Sequence, residues 1–386
     1  MRLTLSLAAF FLSIHGYGQD LSVSNTAMVS APLAITEFTP SNKFSGDFRY
    51  RHQETKDNSK QTRRVHRLML RVGQTFQIQS DLKFTYRLMT GNNNNSGNTT
   101  IADGGTSTQG SPRYAIGLDQ AYVTYLPEKN LSLFLGKMPQ FFYTAGKNQV
   151  ILDRDIAPEG LGVQYRELFL EKALELNLNL ASLWVREKYN STAGEDLTDS
   201  FLNVAQATLN YKINSDFSTQ LGLGTFAYTD IKGSKPNDLT VQTAPDFKGN
   251  TADGSGNYLN GYEILQTSAE IKWVKSPFDV SLFFEHLKNN EADSLNEAQI
   301  FGLVFSYEKF SLSVMRQTIE SDAVLAIYTS ADQAGGVANS RGNVILLGYK
   351  LNKNAVINYS LYDFEKNVET SPTDFKVSHL DLTISF

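Results

Sequence analysis

Leu174-Glu175-Leu176-Asn177-Leu178-Asn179-Leu180 alternates without a break between apolar and polar side chains. Successive side chains of an extended strand point to opposite faces, so the four leucines share one face and Glu175, Asn177 and Asn179 share the other. The period of two returns at Phe301, Leu303, Phe305 and Tyr307, which oppose Gly302, Ser306 and Glu308. It returns again where Leu380, Leu382, Ile384 and Phe386 oppose His379, Asp381, Thr383 and Ser385. A soluble sandwich would bury the apolar face and hydrate the polar one. A membrane barrel turns the apolar face to lipid and lines a wet lumen with the polar face. A single strand fits either arrangement; the spacing of many strands separates them.

Working outward, turn signals place strand starts near Phe44, Arg64, Leu82, Leu118, Leu131, Gly160, Ala173, Phe201, Phe217, Tyr262, Phe278, Ala298, Phe310, Asn343, Ala355 and Asp374. That makes sixteen strands, an even number as single-chain bacterial barrels require. Their connections alternate in length. Short ones include Gln79-Ser80-Asp81, Asn214-Ser215-Asp216 and Asn352-Lys353-Asn354; long ones cover 92–112, 142–159, 186–199, 229–257 and 319–340. Short periplasmic turns facing long outer loops are expected of an outer-membrane barrel, whereas a sandwich has no reason to alternate. The predicted fold is therefore an all-β, transmembrane, antiparallel β-barrel of about sixteen strands with both termini periplasmic. Rings such as Tyr50, Tyr125, Tyr211, Trp273 and Tyr359 fall near strand ends on the apolar face, the depth favoured by interfacial girdles.

Composition agrees. In 386 residues there is no apolar, uncharged stretch of the ~18 residues that a membrane-spanning helix needs, and mean hydropathy is −0.29. A net charge of −5 argues against a nucleic-acid partner held through phosphates. The absence of cysteine removes disulfides, thiolate metal sites and cysteine nucleophiles together. At the N-terminus Arg2 precedes the apolar run Leu3 to Ile14, and Gly16 and Gly18 supply small residues for cleavage after Gly18. The organisation is thus expected to be a signal peptide at 1–18, a periplasmic lead-in at 19–42 and the barrel at 43–386.

Several stretches are similar to the putative porin family of Gram-negative outer membranes. They are Gly46 to Arg51, Arg64 to Gly73, Tyr86 to Gly91, Leu118 to Tyr125, Leu135 to Met138 and Asp153 to Gly160. One departure is Gln140-Phe141-Phe142 after Pro139, where the family pattern leads to expect Asn-Pro-Phe-like residues. The resemblance implies a passive diffusion channel for small hydrophilic solutes, seated in outer-membrane lipid. A homotrimer is common among sixteen-strand porins. The terminal Phe386, preceded by alternating apolar residues, resembles the signal that barrels present to the barrel assembly machinery.

Candidate functional residues follow from the alternation. Arg49 and Arg51, Arg67 and Arg71, and Lys83 and Arg87 point inward from the first three strands, because a charge facing lipid at mid-depth costs about 2–4 kcal/mol. The third outer loop carries Asp153, Asp155 and Glu159. If that loop folds inward, acids face a basic wall and create a transverse field across a pore-lining constriction. The plain alternative is a wide pore with solvated charges. Asp153 and Asp155 could hold calcium, but an ion pair with Arg154 and nearby basic residues is the expected use. No metal or other cofactor is expected, since the five histidines lack ligand spacing. A plugged adhesin, structural barrel or barrel enzyme is the competing reading. For an enzyme, inward His379 and Asp381 lack a partner nucleophile.

Overall fold

The computed structural model describes residues 41–58, 60–91, 98–101, 113–188, 198–239 and 246–386. The expected signal peptide and most of the expected lead-in lie outside the described residues. The lead-in was expected to run to Asn42, but Ser41 and Asn42 already belong to the first strand.

The strands are β1 (Ser41–Asp57), β2 (Arg63–Gln77), β3 (Leu82–Thr90), β4 (Thr99–Thr100), β5 (Ile116–Glu128), β6 (Leu131–Lys137), β7 (Glu159–Phe169), β8 (Leu174–Arg186) and β9 (Ser200–Lys212). They continue as β10 (Phe217–Tyr228), β11 (Tyr262–Lys275), β12 (Phe278–Asn289), β13 (Glu297–Tyr307), β14 (Phe310–Ile319), β15 (Ser340–Lys350), β16 (Ala355–Lys366) and β17 (Thr373–Ser385). Sixteen of these form the wall. The two-residue β4 pairs with Arg67 and Leu68 of β2 beyond the end of the short β3. Each wall strand pairs antiparallel with its neighbours, and β1 pairs with both β2 and β17, which closes the ring. Closure gives every wall strand a neighbour on both sides, as a bilayer requires, where no water can satisfy backbone groups.

Each wall strand starts within three residues of its expected position. Local chemistry explains the tight turns. Asn214 Oδ1, for example, accepts from the backbone N–H groups of Asp216 and Phe217, an Asx turn that reverses the chain between β9 and β10. The alternation of connection lengths is present. At the long-loop end, however, the links β1–β2, β12–β13 and β16–β17 are also brief, over 58–62, 290–296 and 367–372.

Burial settles which face is which. Leu178 and Leu180 are 38% and 39% exposed, while Asn179 between them is 3% exposed. The apolar face points outward around the ring, through residues such as Leu221, Leu282, Phe301 and Leu380. Near the short turns, outward aromatic rings contact across strands: Phe217 with Trp273, Phe278 with Tyr307, and Phe310 with Tyr349.

The inner face departs from expectation in one respect. It is polar at the short-turn half, as at Thr208, Ser268 and Ser281, but apolar at the long-loop half. There Leu183, Val204, Phe226, Ile264, Leu287, Ile300 and Val377 point inward and are buried. They pack against connecting segments that fold into the barrel, including Val150 to Leu152, Ile231, Tyr258 and Ala323 to Ala326. The polar, wet lumen face read from the sequence is thus present in the short-turn half, and the long-loop half departs from it. The physical reason is that the long loops carry apolar residues of their own, and these need an inward apolar surface to leave water.

Candidate functional site

The loop between β6 and β7 crosses the lumen. Its path is fixed by a polar belt on the opposite wall, at the boundary between the apolar and polar halves. Gln206 on β9 accepts the backbone N–H of Tyr143 at 2.8 Å and donates to the Tyr143 carbonyl at 2.8 Å. Gln266 on β11 donates to the same carbonyl and to Glu285. The fully buried Glu285 on β12 accepts from the Ala145 backbone N–H at 2.7 Å and from Asn148 Nδ2 at 2.9 Å. Tyr143 donates its hydroxyl proton to Glu270. At the tip, Gly146 has φ +59, and a Cβ there would overlap the Phe283 ring.

A second inward segment, the β14–β15 connection at 320–339, meets this loop. The Asp153 backbone N–H donates to the Tyr328 carbonyl, and Thr329 Oγ1 donates to the Val150 carbonyl. Asp322 ties the segment to the β10–β11 connection by accepting from Thr251 and Asn260.

Opposite the belt lie the arginines of β1, β2 and β3. Arg51 makes a bidentate pair with Asp381 of β17, both bonds at 2.8 Å, and both residues are buried. Arg71 donates through Nε to Asp47, and Arg87 through Nε to Asp119. Arg49 donates to Asn98 at 2.7 Å. Arg67 stands opposite Arg51 in the β1–β2 register. From the loops, Asp155 and Asp332 lie in the field of Arg49 and Arg51. Burial, reinforced by the charge of Asp153, pushes the Asp155 carboxyl up to about 6 against the pull of Arg49. Burial likewise raises Asp332 and Asp153 above the usual carboxylate range.

The structure thus gathers Arg49, Arg51, Arg67, Arg71, Arg87, Asp153 and Asp155 in one region. It does not bring Lys83 or Glu159 there. Lys83 stands opposite Gln77 beside the tight β2–β3 turn, four residues from Arg87 and about 13 Å along the strand. Glu159 is the first residue of β7, shares the outward face with Leu161, and pairs at 2.7 Å with Lys137 on the neighbouring strand. Its expected place in an inward acidic loop is corrected, because strand parity at Gly160 turns it out. Of the expected pairing of Asp153 and Asp155 with Arg154 and nearby basic residues, the Arg154 part is corrected, while Asp155 does lie in the field of Arg49 and Arg51. Among the described residues no carboxylate lies within 4.0 Å of Arg154, and Asp153 instead caps its own turn by accepting from the Asp155 backbone N–H.

A cavity of about 370 Å³ separates wall from loop. Arg71, Arg87 and Gln120 line it on the wall side, and Lys147, Arg154 and Asp155 line it on the loop side. Sequence reasoning did not single out Asp47, Asp119 or Asp332, nor the belt of Gln206, Gln266 and Glu285. Parity could have shown Asp47 and Glu285 facing inward. The partners they meet depend on ring closure and loop path. His379 is buried with Nε2 3.5 Å from Asp332, and neither ring nitrogen makes a hydrogen bond among the described residues.

The putative porin family matches residues 34–318. The chain belongs to that family. Its fold is similar to Pseudomonas putida OprB, with a TM-score of 0.55 at 13% identity, covering 89% of this chain and 94% of that one. It is also similar to Salmonella typhi OmpF, solved in complex with daunomycin, with a TM-score of 0.50 at 13% identity, covering 89% and 97%. No curated protein matches the chain by sequence. This porin-family protein is a multi-pass outer-membrane barrel in contact with lipid and a diffusion channel.

Proposed function

We propose that small hydrophilic solutes cross this channel through the gap between the arginine-bearing inner faces of β1 to β3 and the inward loop at 138–158. One observation carries the reading. The loop is hydrogen-bonded to β9, β11 and β12, and β12 lies eight wall positions from β3 in a sixteen-strand ring, so the free passage is left beside the arginines. Arg49, Arg51, Arg67, Arg71 and Arg87 then line one side of the constriction. Asp155 and Asp332 oppose them, with Asp153 supporting from its turn. Fixed charges of opposite sign across a narrow, wet gap orient water and favour dipolar solutes. Lys83 acts as a vestibule charge in this reading, and Glu159 stays outside the path.

Short turns face the periplasm and long loops face the exterior. Recognition of the last strand by the barrel assembly machinery and assembly as a homotrimer belong to the same proposal. The exposed stacked pair Phe44 and Phe386 at the seam supports the first of these.

Single-channel recording tests the constriction. Replacing both Arg67 and Arg71 by Ala should raise conductance and shift ion selectivity toward cations. Unchanged conductance and selectivity would sink the assignment.

A further inference from the structure

The charges around the 370 Å³ cavity do not form the simple opposition of a basic wall and an acidic loop. Lys147 and Arg154 come from the loop, and among the described residues neither has a carboxylate within 4.0 Å. Arg71 and Arg87 face them from β2 and β3. The carboxylate contacts of both wall arginines with described residues run through Nε, to Asp47 and Asp119, so their terminal nitrogens stay available. A guanidinium fork with free terminal N–H groups matches the two oxygens of a carboxylate. Four cations stand against Asp155 and the two partner carboxylates, leaving a net positive charge in the cavity. The remaining lining mixes the polar side chains of Gln120, Gln140, Thr144 and Asn148 with an apolar side formed by Phe142, Ile151, Ile156 and Phe226.

We propose that this cavity is a subsite for small organic acids, with the carboxylate held between the wall arginines and Lys147 and Arg154, and the apolar body against Phe142 and Ile151. The subsite deepens the channel reading and rests on it. The volume suits a small molecule and is too little for an oligosaccharide. A neutral sugar would leave the unpartnered cations unused. Inorganic phosphate would leave the apolar lining unused.

The test uses the purified full chain in planar bilayers, with benzoate as probe and inorganic phosphate and glucose as comparisons. In a potassium chloride gradient the reversal potential should show chloride passing more readily than potassium. Benzoate should reduce chloride current saturably, more strongly than phosphate, and glucose should not. Lys147→Gln combined with Arg154→Gln should require at least about tenfold more benzoate for the same reduction, since one lost charge-assisted contact is already on that scale and two are removed. Lys288→Gln, on the outward face of β12, should leave the benzoate response unchanged. Potassium preference in the unaltered protein, equal effects of benzoate and glucose, or an unshifted double variant would overturn the proposal. Phosphate acting as strongly as benzoate would overturn its organic-acid part. Titration calorimetry of benzoate into detergent-solubilised protein separates the two readings. Binding without any conductance would overturn the channel and keep the subsite. Conductance without binding heat would do the reverse.

Discussion

Arg51 and Asp381 hold the barrel's first and last wall strands together from inside. Both are buried and share two hydrogen bonds, so removing one partner leaves a charge without its counterpart. Arg51→Ala should lower stability by about 3 kcal/mol, measured by denaturant unfolding in detergent, and Arg51→Ala with Asp381→Asn should recover part of the loss. Asp155 governs behaviour with pH. Its carboxyl titrates near 6, above the usual 3.8, because burial and Asp153 disfavour the charged form. A raised folded value means that its stabilising contribution is present below about 3.8 and is lost as pH rises through 6. In the channel, acidification from pH 7.5 to 5 neutralises Asp155 and leaves the arginines less compensated. Chloride preference should therefore increase through that interval in reversal-potential measurements, and Asp155→Asn should abolish most of the change.

The inward loop behaves as one element because it is fastened at points that differ in kind. Hydrogen bonds from Gln206, Gln266 and Glu285 hold its backbone, and the close approach of Gly146 to Phe283 seats its tip. Gly146→Ala would meet both a left-handed φ, costing about 1–2 kcal/mol, and the Phe283 ring. The loop should lift while the wall, paired independently, stays closed. Recordings should then show larger, noisier openings, while electrophoresis still shows the heat-modifiable shift of a folded barrel. Alternation made the wall elements legible: Leu174 to Leu180 alone showed which side chains share a face. The loop's landing place was not legible. It depends on Gln206, Gln266 and Glu285, which lie 60 to 140 residues away in the chain and become neighbours only across the lumen.

At the scale of the whole molecule, the long-loop half of the barrel holds an apolar core between inward wall residues and loops, and the short-turn half keeps a polar lining. In the proposed channel, passage is thereby confined to one side of the lumen, beside β1 to β3. Proteoliposome swelling should admit amino acids and monosaccharides readily and trisaccharides much more slowly. Equal rates across that series would contradict so restricted a path.

The amino-acid sequence by itself determined the strand number, the outward apolar face, the inward arginines and the alternation of short and long links. These follow from a period of two and from the cost of placing charge in lipid, both local properties of each strand. Tertiary structure alone decided which carboxylate each arginine meets and that Lys147 and Arg154 face the wall across a cavity. Those outcomes depend on ring closure and on loops crossing the lumen, where contacts join residues that no periodicity relates. The stretch from Leu174 to Leu180 showed that one face is polar. Only the folded barrel showed that Asn179 on that face is buried, in a lumen whose long-loop half has a core.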